Sequence, residues 1–98
     1  MMKYYYVYIL KCSDESYYIG VTNDIERRLD EHRMGINKAS YTYSRRPVNL
    51  VYHEYFMDIN EAIDFEKQIK GWSRAKKEAL IKGDWDEIVV LSNKKHKK

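Results

Sequence analysis

Cysteine is almost missing from this 98-residue chain: Cys12 stands alone. That excludes an internal disulfide framework and a cysteine-built zinc site, and it suits a reducing cytoplasm, the expected location. Long apolar runs are missing too. The opening "MMKYYYVYILK" is too short to span a membrane and lacks a small-residue cleavage site, so it reads as a strand, and no membrane partner is expected. No internal repeat is visible. Proline is scarce, with Pro47 closing a polar loop, and three of the four glycines stand where helices should end. An excess of one charge is also lacking in the body. Four of the 18 basic residues are the tail lysines Lys94, Lys95, Lys97 and Lys98, which leaves 14 against 15 acidic residues. Any case for a nucleic-acid partner must therefore rest on local clusters.

Tyrosine, by contrast, is abundant: ten residues against two phenylalanines. Its hydroxyl wants a partner, so a tyrosine cluster marks either half-buried strands or a wet functional surface. The length fits one domain, read as residues 1–91, with residues 92–98 a basic, solvated and disordered tail.

Tyr4–Leu10 and Tyr17–Thr22, rich in aromatic and β-branched residues and separated by "CSDES", predict a β-hairpin. Alternation sorts Tyr5, Val7, Ile9, Tyr17, Ile19 and Val21 onto a core face. Tyr4, Tyr6, Tyr8, Tyr18, Gly20 and Thr22 form a polar aromatic one. A helix follows, with Asn23 as the expected N-cap, Glu26 in capping-box position and Gly35 as terminator. Ile25, Leu29 and Ile36 share a sector of roughly 40°, and Arg28 and His32 fall within it. After the basic loop "NKASYTYSRRPV", Leu50–Phe56 predicts a third strand. Asp58 then caps a helix running to about Gly71, with Glu61 in capping-box position and the stripe Ile59, Ala62, Ile63 and Ile69. Ser73 caps a short basic helix ending at Gly83, and Ile88–Leu91 could add a last strand. The expected fold is α/β (α+β): a small antiparallel three-stranded sheet flanked by helices, in the order ββαβαα.

Three elements put polar groups where the pattern wants apolar ones: Tyr8 and Tyr18 on the sheet, Arg28 and His32 on one helix, Glu66 and Lys70 on the next. Glu66 lies about 20° from Ile59 on the helical wheel, and a carboxylate there is costly unless paired, protonated or metal-bound. A base, a cation and a carboxylate for Mg²⁺ are what phosphodiester cleavage needs. Each residue also has a plainer use. Tyr8 and Tyr18 could be sheet aromatics, His32 a helix histidine bonded to a tyrosine hydroxyl, and Lys70 a neutraliser of Glu66. Arg27 is expected to pair with Glu31 on the solvent side.

With these residues in place, the chain from Tyr4 to about Ile81 resembles the GIY-YIG nuclease domain family, in its small stand-alone bacterial branch. Tyr18-Ile19-Gly20 gives the second triplet, and Tyr6-Val7-Tyr8 the first with tyrosine for the leading glycine. The resemblance implies Tyr8 as or near the general base, with help from His32 or a metal-bound water left open. It implies Tyr18 positioning phosphate or water, Arg28 stabilising the transition state, and Glu66 holding one Mg²⁺ (or Mn²⁺). Gly20 would let the backbone pack closely beneath the site. An asparagine that many members carry near the domain's end has no counterpart between Asn60 and Asn93.

The implied activity is a Mg²⁺-dependent endonuclease of low sequence specificity acting on nucleic acid, DNA first, as in repair or recombination. The alternative is a non-catalytic nucleic-acid-binding module on a degenerate scaffold; a weaker third reading is a protein-interaction domain. Arg45 and Arg46 in the loop, with Tyr41 and Tyr43, could contact phosphates or stack bases. Lys70, Arg74, Lys76 and Lys77 could extend that surface, or Arg74, Lys76 and Lys77 could simply belong to a solvated helix. Oligomeric state is left open, a monomer included.

Overall fold

A computed structural model of the chain describes residues 3–94, the Lys94 side chain excepted. The tail lysines Lys95, Lys97 and Lys98 lie outside the described residues. Strands β1 (Tyr5–Lys11), β2 (Tyr17–Thr22) and β3 (Asn49–Phe56) form one antiparallel sheet in the order β2-β1-β3. The helices are α1 (Ile25–Met34), α2 (Ile59–Lys70), α3 (Arg74–Lys82) and α4 (Trp85–Lys94). The three-stranded antiparallel sheet is as expected, and the segment Ile88–Leu91 is the correction. It is helical, with Ile88 buried in the core, because α4 packs against α3 and a β-branched run yields to that context. This helix also crosses the expected tail boundary after Leu91.

The hairpin alternation holds, but both faces are covered. On the odd face Val7, Ile9 and Ile19 meet Ala62, Ile69, Ala79 and Leu80 from α2 and α3. On the even face Tyr8, Leu10, Cys12 and Val48 are buried against Ile25 and Leu29 of α1. The face read as polar and aromatic is therefore a second core at its centre. Pairing of Ile9 with Tyr52 and Leu10 with Leu50 makes Val51 the extra residue of a bulge. Val51 and Tyr52 thereby both join the α2–α3 side, while Leu50 joins the α1 side.

Local signals fix the helix ends, with one shift. Asp24, not Asn23, caps α1: its carboxylate accepts from the Arg27 amide at 3.1 Å. Thr22 sets this up, its hydroxyl accepting from the Asp24 amide and donating to the Asp24 carbonyl. Gly35 ends the helix at φ 68°. A Cβ there would sit 2.6 Å from the Arg46 guanidinium, which this glycine admits to the negative end of the helix. Ile36 therefore lies beyond the helix and is exposed rather than part of its apolar stripe. Asp58 and Ser73 cap α2 and α3 as expected.

Candidate active site

The cross-strand pair Tyr8–Gly20 is the floor of the site. A Cβ on Gly20 would stand 2.5 Å from the Tyr8 hydroxyl and 2.7 Å from its Cζ. Glycine thus makes room for the Tyr8 ring to lie across β2, a more specific purpose than close backbone packing. Tyr8 is 1% exposed. Burial chiefly, with Tyr18 nearby, pushes its phenol up to about 12, while the adjacent Arg28 pulls the other way. Its proton is firmly held at neutral pH unless something takes it.

One candidate is at hand. The Tyr8 hydroxyl lies 3.0 Å from His32 Nε2, and His32 Nδ1 lies 2.8 Å from Thr42 Oγ1. Thr42 Oγ1 in turn meets Ser40 Oγ at 3.1 Å. Burial, and then the Arg28 cation, lower the His32 pKa below its ordinary 6.5, so the imidazole is neutral at pH 7. Tyr18 packs edge-on to His32, with centroids 5.1 Å apart, and stacks on Tyr41.

Beside Tyr8 lies a cavity of about 390 Å³ whose walls include Tyr18, Arg28, Glu31, His32, Ser40 and Thr42. The helix brings Arg28 and His32 to one face, being one turn apart. Arg28 is the better shielded of the neighbouring arginines, with 36% of its side chain exposed against 61% for Arg27. Glu31 is shared: its carboxylate takes Arg28 Nε at 3.1 Å and Arg27 Nε at 3.8 Å. The expected Arg27 pair is thus the longer of two, and Arg28 meets a carboxylate where a phosphate oxygen would serve as well.

Glu66 does not line this cavity. Its carboxylate pairs with Lys70 one turn on, and the Glu66 side chain is 13% exposed against 55% for Lys70. Lys70 lines a second groove with Tyr17, Tyr18, Tyr41 and Lys77. Tyr18 lines both the cavity and this groove, and Glu66 reaches the groove only through its partner Lys70.

The basic residues divide differently from expectation. Arg45 holds Asp14 at 3.1 Å and the Tyr41 carbonyl at 2.7 Å, with its guanidinium 3.7 Å from the centre of the Tyr41 ring. Arg46 holds the Tyr43 carbonyl and covers the Tyr43 ring. Both order the loop, and Tyr41 already stacks internally. Arg74 bonds Glu78 and lies over Tyr17. Lys76 is a correction: it is 7% exposed, with its ammonium 4.4 Å from the Trp72 ring, and so is not a surface cation for phosphate. Its neighbour Lys77 is the α3 lysine that lines the groove.

Sequence reasoning missed Thr42, Ser40 and Glu31 as parts of the site. Thr42 and Ser40 sit in an irregular loop, where periodicity carries no signal. The one hint was a histidine on a packing face with no partner on its own helix.

Comparison with known proteins shows the family and the fold. Residues 4–79 match the family model of the GIY-YIG catalytic domain. A UPF0213 protein of Haloquadratum walsbyi is 46% identical over 86 residues, covering 88% of this chain and 96% of the relative. One from Bacillus pumilus is 48% identical over 77 residues, covering 79% and 78%. The solution NMR structure of the UPF0213 protein BH0048 from Bacillus halodurans shares 43% identity at a TM-score of 0.54, covering 81% of this chain and 83% of that one. That of the protein EF2693 from E. faecalis shares 41% at 0.60, covering 83% and 85%.

Proposed function

Because this chain belongs to the GIY-YIG catalytic domain family, we propose that it is an endonuclease that hydrolyses phosphodiester bonds of nucleic acid, DNA first, with low sequence specificity. The observation that carries this reading is the buried Tyr8–His32 hydrogen bond, whose His32 shares the wall of an open cavity with Arg28. The Tyr8 oxygen receives the proton of the attacking water as its own proton leaves. Tyr18 positions the phosphate or water from the cavity wall. Arg28 exchanges Glu31 for the phosphate oxygens, on which negative charge grows in the transition state.

Among the described residues no three His, Cys, Asp or Glu side chains gather into a metal cage. Mg²⁺ seldom needs one, since it keeps most of its waters and takes one or two carboxylates. Glu66, once released from Lys70, would be that single donor, and Mg²⁺ (or Mn²⁺) would neutralise phosphate charge and lower the pKa of water there. Releasing Glu66 would free Lys70, which lines the groove with Lys77, as a contact for a flanking phosphate. Among the described residues no helix is long and apolar enough to cross a membrane.

A second reading, the non-catalytic nucleic-acid-binding module, draws support from the engagement of both Arg28 and Glu66 in internal ion pairs. The purified protein should be incubated with duplex, flap, branched and single-stranded DNA and with RNA, each with Mg²⁺, Mn²⁺ or EDTA. Metal-dependent cleavage of a DNA substrate supports the endonuclease. Binding without cleavage of any substrate supports the module.

A further inference from the structure

We infer that Thr42 is a positioning residue: its hydroxyl holds His32 in the Nδ1–H form, leaving Nε2 free to take the Tyr8 proton. This rests on the endonuclease reading for its purpose, though not for its geometry. Tyr8, His32 and Thr42 are all buried, and among the described residues no buried side-chain nitrogen or oxygen lacks a partner. A neutral imidazole has one N–H to place, and the bond made by one nitrogen decides the state of the other.

The groups facing Tyr8 and His32 favour one arrangement. The Arg28 guanidinium, all donors, stands beside the Tyr8 oxygen. A second N–H aimed at that oxygen from His32 would compete with it, whereas a bare Nε2 accepts the Tyr8 proton at 3.0 Å. The imidazole proton then sits on Nδ1 and goes to Thr42 Oγ1 at 2.8 Å. In that arrangement the Thr42 hydroxyl proton is left for Ser40 Oγ, 3.1 Å away. Besides Tyr8 and Arg28, the charged or titratable groups acting on this pair are Tyr18 and Glu31.

As the water oxygen bonds to phosphorus, its proton passes to the Tyr8 oxygen and the Tyr8 proton passes to Nε2. The ester P–O bond breaks with its electrons, and the leaving oxygen takes a proton from solvent. The imidazolium keeps its Nδ1–H bond to Thr42 throughout and later returns the Nε2 proton to solvent. A threonine in a loop thus has the orienting place that a carboxylate takes in other relays.

The test is ring ¹⁵N NMR of His32 in the whole chain without substrate, at pH 7.5, paired with cleavage kinetics. Wild type should show a protonated Nδ1 and an unprotonated Nε2. Thr42→Val should lose that preference, and Thr42→Ser should restore it. In kinetics Thr42→Val should lower kcat by about 10- to 100-fold with KM little changed, the scale for removing a group that orients an imidazole, and Thr42→Ser should recover most of it. An Nε2–H wild type overturns the inference without any variant. A Thr42→Val protein that keeps both tautomer and kcat also overturns it. Absence of cleavage by wild type on every substrate overturns the endonuclease reading alone, because the tautomer is read without substrate.

Discussion

Replacing Gly20 by alanine adds one methyl group at the most crowded point of the site. That Cβ would lie 2.5 Å from the Tyr8 hydroxyl, 2.7 Å from Cζ and 3.0 Å from Cε1, when ordinary contact is nearer 3.5–4 Å. The ring has little freedom to yield, being 1% exposed and bonded to His32. Overpacking of this kind costs about 1–3 kcal/mol, against a gain of about 0.4–1 kcal/mol from stiffening the unfolded chain. The net expectation is a loss of about 1–2 kcal/mol, or about 4–16 °C in Tm for a domain of this size. Urea unfolding of Gly20→Ala, Tyr8→Phe and the double variant measures it. The second Gly20 cost should shrink in the Tyr8→Phe background, because the shortest contact is gone while that to Cζ remains. A neutral or stabilising Gly20→Ala would refute the close approach and remove the reason for a glycine in this strand.

Glu66→Ala should abolish Mg²⁺-dependent cleavage while the fold survives, since Lys70 is exposed enough to be solvated alone. Intact specific activity in the folded fraction would mean that the ion pair is the carboxylate's whole purpose. Lys77→Ala should reduce the slope of log affinity against log salt by about 1, as for one lost phosphate contact, whereas Lys76→Ala should leave that slope unchanged; a salt titration with a short DNA decides between them. Acid should destabilise the protein through His32. Its folded pKa lies below the ordinary 6.5, so its contribution is fully present above 6.5 and fades as pH falls through the lowered value. Tyr8, raised from 10 to about 12, acts in the other direction, its contribution present below pH 10 and lost toward pH 12. His32→Gln should flatten the acid side of a stability profile, and an unchanged profile would show that His32 is not the group responsible.

Much of this was legible because regular elements write themselves periodically. The alternation in Tyr5–Lys11 separated the α2–α3 side of the sheet from the α1 side, and the 3.6-residue period put Arg28 and His32 on one helix face. What alternation could not say was that the centre of the aromatic face would be buried as well. That depended on Ile25 and Leu29 closing over Tyr8. The α4 segment misled because Ile88–Leu91 has strand-like residues whose helical state is set by packing on α3. The Lys76–Lys77 distinction turned on about 100° of helix rotation at a helix too short for its stripe to be clear. Thr42 and Ser40 were beyond reach, since their partners are fixed by the path of an irregular loop.

The central claim is that one face of α1 carries phosphodiester hydrolysis, and the adjacent arginines test it most directly. Single-turnover cleavage, with enzyme in excess over DNA, should be compared for wild type, Arg28→Ala, Arg28→Lys and Arg27→Ala. Arg28→Ala should be slower by on the order of 10²-fold or more, the scale for losing a donor to developing transition-state charge. Arg28→Lys should recover little, because a planar fork is replaced by a point charge. Arg27→Ala should barely change the rate, as for an exposed pair worth under about 1 kcal/mol. Equal losses at both arginines, or a larger one at Arg27, would contradict the site described here.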